Sequence, residues 1–147
     1  MSGDTELRIF TLEEANRAIQ DLRETLPAVR KALRNIERAE ERLEILNLIC
    51  NRAVASGNPD LREYLGVRVK YHRAITRLEE LLDRLERSGY LLIDLDKGVV
   101  HFAARQGGQD VLLCWKEGEK VISHWHEPSE DEHDEDERRQ IRNWDDT

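Results

Sequence analysis

The run YLLIDLD (residues 90–96), KGVVHFAARQ (97–106), GGQDVLLCWK (107–116) and KVISHWHE (120–127) decides how this chain folds. Apolar and polar residues alternate within each segment, and turn-forming pairs separate the segments, which is the pattern of a four-stranded antiparallel meander. Gly107-Gly108 is a two-residue hairpin signal that pairs Gln106 with Gln109 and sets His101 opposite Cys114. Lys97-Gly98, read as a second two-residue turn, pairs Asp96 with Val99 and sets Asp94 opposite His101. The third turn, Glu117 to Lys120, is ambiguous in length, and a slip of one residue exchanges the two faces of the last strand. Matching Val111, Leu113 and Trp115 with Val121, Ser123 and Trp125 requires an odd-length loop such as Gly118 to Lys120. That register sets Cys114 opposite His124.

The expected core row is then Ile93, Phe102, Leu113 and Trp125. The expected row on the other face is Asp94, His101, Cys114 and His124, with His126 one pair further along its own strand. This second row is the candidate site. A thiolate with imidazoles suits zinc or another borderline transition metal. Strands about 4.8 Å apart would put Asp94 and His124 roughly 14 Å apart at the backbone, too far to share one ion. The candidate metal ligands are therefore Cys114, His101 and His124, with His126 on the diagonal. Asp94 would accept the second ring N–H of His101. A meander with one face on a core has a polar outer face in any case, so the simpler expectation is a solvated row that binds nothing.

Upstream of the meander the pattern is helical. Thr11-Leu12-Glu13-Glu14 fits a capping box, with Phe10 placed to start a hydrophobic staple. Apolar residues then recur at steps of three and four from Ala15 to Ala53, so the spacing predicts a helix over about 11–55, kinked or broken near Pro27. Ala55-Ser56-Gly57-Asn58-Pro59 reads as the turn, and a second helix of about 58–88 ends at Ser88-Gly89. At 1.5 Å per residue these helices would reach roughly 65 and 45 Å, and the unequal lengths suggest pairing with a second copy. The expected fold is α+β: a long antiparallel helical hairpin followed by the small meander, in one domain of residues 1–126.

Charged residues are 37% of the chain and the formal net charge is −8, which argues against nucleic acid or an anionic membrane as the partner. Arg23, Arg30, Arg34, Arg38 and Arg42 are interleaved with acids and form no clean basic stripe along the sequence. Residues 127–147 open with eight Asp or Glu and no Lys or Arg up to Glu137, so an acidic, disordered tail is expected. Arg138, Arg139, Ile141, Arg142 and Trp144 would anchor that tail on a protein partner. No apolar run is long enough to span a membrane, the first ten residues carry no secretory segment, and two cysteines make no disulfide framework. A cytoplasmic protein is the expectation. Neither a nucleophile elbow nor a phosphate-binding glycine loop is present, so the motifs do not point to an enzyme. The first functional expectation is a homodimeric interaction or assembly protein built on the hairpin. The alternative is a zinc-type metal-binding protein, extending to a hydrolase, with its site on the meander.

Four stretches carry a family resemblance: Phe10 to Asn16 (FTLEEAN), Leu95 to Phe102 (LDKGVVHF), Val111 to Lys116 (VLLCWK) with Gly118-Glu119, and Trp125-His126-Glu127. Across residues 8–127 the chain resembles the uncharacterised prokaryotic proteins grouped as domain of unknown function 2203. The resemblance implies a small helical hairpin with a β meander, and no particular activity. Members often show Asp at the position of His101 and an aromatic residue at that of His124, which moves the shared pair towards Cys114 and His126. The Gly-Arg-Gln-Pro-like ending of the family is represented here by Arg139-Gln140-Ile141.

Overall fold

A computed structural model describes residues 7–50, 59–128 and 138–146 of the 147-residue chain. It contains two long helices packed as a hairpin, α1 (Leu12–Cys50) and α2 (Pro59–Ser88), followed by an antiparallel sheet. The strands are β1 (Leu91–Asp94), β2 (Val99–Gln106), β3 (Gln109–Lys116), β4 (His124–His126) and β5 (Arg139–Gln140), in the spatial order β1-β2-β3-β4-β5. The expected turn at Ala55–Pro59 and the helical pattern of residues 51–55 fall on positions 51–58, outside the described residues.

The chain divides into two compact units, one of residues 27–83 and the other of the remainder. In the first of these, α1 and α2 bury Val29, Ala32, Ala39, Leu46, Ala74 and Leu81 at helical spacing. Helix α1 runs through Pro27 without interruption, so no break occurs there. Pro27 is exposed. Two residues before it, the Thr25 hydroxyl donates to the Asp21 carbonyl at 2.8 Å, a local bond of the kind helices accommodate.

The other unit holds the sheet. The expected capping box forms: the Glu14 N–H donates to Thr11 Oγ1 at 3.1 Å and the Thr11 N–H donates to Glu14 Oε1 at 2.9 Å. Phe10 is buried edge-on against Phe102, with ring centroids 5.1 Å apart, and its N–H donates to the Ala103 carbonyl. On α1, Ala15, Ala18, Ile19, Leu22 and Leu26 form the buried stripe that belongs with this sheet. Asn16 adds a polar tie, its Oδ1 accepting from the Ile122 N–H at 2.7 Å.

The register of β2 with β3 is the expected one, Gln106 with Gln109 and His101 with Cys114. So is that of β3 with β4, Leu113 with Trp125 and Cys114 with His124. One premise behind the second register is corrected, since Val121 is exposed and Ile122 buried, and regular pairing in β4 begins only at His124. The register of β1 differs: Leu91 stands opposite His101 and Asp94 opposite Val99, with an irregularity between Leu92 and Asp94. The shift goes with a longer turn. Asp94 Oδ1 accepts from the Lys97 N–H, three residues on, at 2.9 Å, across a four-residue turn over Leu95–Gly98 where a two-residue turn was expected. Ile93, assigned to the core row, is exposed as a result.

The fold does not end at residue 126. Beyond the acidic stretch, β5 pairs with β4, Trp125 opposite Arg139 and His124 opposite Gln140. Ile141 N–H donates to the Ser123 carbonyl at 2.9 Å, and Arg139 lies 5.1 Å over the Trp125 ring. Trp144 meets Trp125 edge-on, and Asp146 accepts from the Leu12 N–H at 2.9 Å. The residues expected to anchor a partner are thus docked on the chain's own sheet. Residues 129–137, most of the acidic stretch that opens the expected tail, lie outside the described residues.

Candidate metal centre

Strand alternation places His101, Cys114, His124 and His126 on one face of the sheet. That face is not solvated. His101 retains 5% of its exposure, Cys114 1% and His126 4%, and every residue of β2 from Val99 to Ala104 is buried. The expectation of a one-sided meander with a wet polar row is therefore corrected: both faces of β2 are covered.

Three of the candidate side chains meet. His101 comes from the middle of β2, Cys114 stands directly opposite on β3, and His126 reaches in from β4, where its own cross-strand neighbour is Leu112. One donor atom from each lies within 4.8 Å of the other two. The two imidazole rings have centroids 5.0 Å apart and are tilted by 42°. His101 and His126 thus meet although β3 lies between their strands.

His124, though paired with Cys114, belongs to a different group. Its Nδ1 is 3.0 Å from Ser123 Oγ and 3.7 Å from Glu119 Oε2. Glu119 is the hub there. Its carboxylate accepts from Arg138 Nη2 at 3.0 and 3.1 Å and from the Lys116 N–H at 2.8 Å, and its carbonyl accepts from the Trp115 indole N–H at 2.9 Å. Sequence reasoning named Glu119 only as part of a turn and of the family resemblance, and Arg138 only as a partner anchor, and missed their pairing. The signal for Glu119 was its place beside the turn glycine Gly118, whereas Arg138 lies beyond the acidic stretch, and no local pattern connects the two. Asp94 is likewise apart from the cluster, in the turn described above.

Two imidazoles and a thiol form a borderline-to-soft donor set suited to Zn²⁺, Co²⁺ or copper and poorly suited to Mg²⁺ or Ca²⁺. Tetrahedral zinc with bonds of about 2.0–2.3 Å needs donors roughly 3.3–3.6 Å apart. The three donor atoms here lie within 4.8 Å of one another, so binding would require them to draw closer by about an ångström. Three donors on three hydrogen-bonded strands give the site a rigid backbone frame.

Comparison with known proteins adds the family. The model of a family described as "Uncharacterized conserved protein (DUF2203)" matches residues 8–141, a span that includes the cluster and β5. No curated protein and no solved structure was found to match the chain.

Proposed function

The chain belongs to this DUF2203 family of uncharacterized conserved proteins, and on that premise we propose that its sheet is a metal-holding platform, with one Zn²⁺ or a similar ion bound by His101, Cys114 and His126. The observation that carries the reading is the convergence of three buried donor atoms, each on a different strand, within 4.8 Å. Buried histidines and cysteines are common singly; two imidazoles and a thiol sharing one dry space are not needed to fill a core. Bound metal would deprotonate the thiol and hold both rings by their ring nitrogens, tying β2, β3 and β4 together. With every donor at 5% exposure or less, a substrate has no approach from bulk solvent. The burial therefore favours a structural or sensing centre over a hydrolytic one. A thiolate ligand also suits a reducing compartment such as the cytoplasm.

The test is metal content of protein purified without a histidine tag, followed by Co²⁺ loading. One equivalent of metal and a near-ultraviolet thiolate-to-cobalt band are expected. Cys114→Ser should remove the band, His126→Ala should weaken binding by about 10- to 100-fold or more, and His124→Ala should leave both intact. Absence of stoichiometric binding, or a cobalt spectrum indifferent to Cys114→Ser, overturns the reading.

A second reading, homodimerisation through the hairpin, has its own support. Within the unit of residues 27–83, Ile45, Leu48, Ile49, Leu61, Leu65 and Val69 are all exposed, Leu48 at 72%. Large apolar side chains exposed at the end of α1 and the start of α2 are the usual material of a protein interface. The expected species in light scattering is a dimer that Leu48→Glu with Leu65→Glu converts to a monomer. A monomer for the unmodified protein across the micromolar range would discard the assembly role.

A further inference from the structure

The hairpin unit contains a groove of about 510 Å³ between α1 and α2. Its floor is Ala39, Val67 and Ala74. Both alanines are buried, and both occupy steps of the apolar repeat at which the next two turns carry Leu46 and Leu81. Alanine in place of leucine at facing positions of a two-helix seam removes the side chains that would close it, so the space follows from the sequence.

The rim is cationic. Arg38, Arg42, Lys70, Arg73 and Arg77 line the groove, and among the described residues no carboxylate does. This is notable in a chain of net charge −8, and residues 27–83 taken alone have eleven Lys or Arg against nine Asp or Glu. Arg42 is paired with Glu63 at 2.6 Å, and Arg77 with Glu80 at 3.8 Å. Arg38, Lys70 and Arg73 make no ion pair among the described residues. The spacing explains the convergence: Arg38 and Arg42 are one turn apart on α1, and Lys70, Arg73 and Arg77 recur at three and four residues on α2. In linear sequence acids interrupt these cations, and in the fold Glu63 and Glu80 neutralise Arg42 and Arg77, which leaves Arg38, Lys70 and Arg73 as the cations of the rim without an ion pair among the described residues. Like charges gathered over an apolar floor raise a positive potential that a bound anion would neutralise.

We propose that this groove binds a small organic polyanion, with an apolar body on the Ala39–Val67–Ala74 floor and two or more negative charges on Arg38, Lys70 and Arg73. A nucleoside di- or triphosphate has this chemistry, and the volume is within the usual range for such ligands. The assignment is independent of the metal centre, which lies in the other unit.

Calorimetry with the full chain in EDTA, using ATP and inorganic triphosphate as probes, tests it. ATP should bind at sub-millimolar concentration and triphosphate more weakly. Lys70→Glu with Arg73→Glu, both on exposed positions, should weaken ATP by roughly tenfold or more. Ala74→Leu should do the same by filling the floor, with thermal stability equal or higher, and Cys114→Ser should have no effect. Failure of ATP to bind at millimolar concentration overturns the proposal. So does equal binding of triphosphate and ATP with Ala74→Leu neutral, since the floor would then play no part. Single-stranded DNA that displaces ATP and is indifferent to Ala74→Leu would assign the surface to a nucleic-acid backbone instead.

Discussion

The sheet unit and the hairpin unit differ in where their unusual side chains lie. The sheet buries polar groups: His101 and His126 lie beneath the surface with Cys114, and Glu119 and Arg138 are largely enclosed. The hairpin exposes apolar ones, from Ile45 to Val69, and surrounds an unfilled floor with cations. Burial of a polar group costs free energy unless a partner offsets it, and exposure of a large apolar patch forgoes burial free energy. Each departure from the ordinary arrangement therefore marks a place where something other than packing shaped the residues. In the sheet the departure is what the proposed ion would explain, and in the hairpin what the proposed partner or ligand would explain.

The contrast in packing has a direct stability test. Trp115→Ala removes the largest fully buried side chain and should cost about 3–5 kcal/mol, whereas Leu48→Ala, a mostly exposed position, should stay within about 0.5 kcal/mol. Denaturant unfolding of the two variants reads the difference. Equal losses would mean that Leu48 is covered in solution, which would favour the dimer.

Glycine substitutions should move the two units in opposite directions. Gly98 has φ +72°, and a Cβ there would collide with the Glu117 side chain. Gly98→Ala should therefore destabilise the sheet by about 1–3 kcal/mol, measured by the same unfolding assay. Gly66 sits inside α2, and among the described residues nothing beyond its chain neighbours and its own stretch of helix backbone lies within 4 Å of the place a Cβ would take, so the space accepts a methyl group. Gly66→Ala should stabilise the hairpin by about 1 kcal/mol. A loss at Gly66 would show that its backbone departs from the helix in solution.

The smallest effect is at the start of α1. The Thr11 N–H donates to Glu14, and that bond, with the Thr11 hydroxyl, holds the Glu14 carboxyl below its ordinary value of 4.5. A lowered folded value means that the ionised form is favoured by the fold. The contribution of the cap is complete above the ordinary carboxylate range and is lost as pH falls through the folded value. NMR titration should place the Glu14 midpoint below 4.5 and return it towards 4.5 in Thr11→Ala. A midpoint at 4.5 in the unmodified protein would mean that the capping box is open in solution.

Much of this architecture is legible in the sequence, for reasons that are local. The Thr11–Glu14 box, the helical repeats, Gly107-Gly108 and the pairing of His101 with Cys114 depend on residues within a few positions of one another. The turn at Lys97-Gly98 is harder to read because two turns compete there, and the longer one, bridged by the Asp94 side chain, forms. Nothing in the local pattern says which solution the chain adopts, so turn chemistry alone puts Asp94 beside His101, where it does not lie.

Composition, periodicity and turn chemistry were enough to establish two helices, a meander, and a thiol and histidines sharing one sheet face. Three-dimensional packing decided what that face became. It covered the row from solvent, brought His126 rather than His124 to Cys114 and His101, and returned β5 to the sheet across the acidic stretch. The physical reason is range. Hydrogen-bonded turns and helix caps are determined by neighbours in the chain, whereas burial, side-chain convergence over two strands and the closing of an edge depend on groups far apart in sequence.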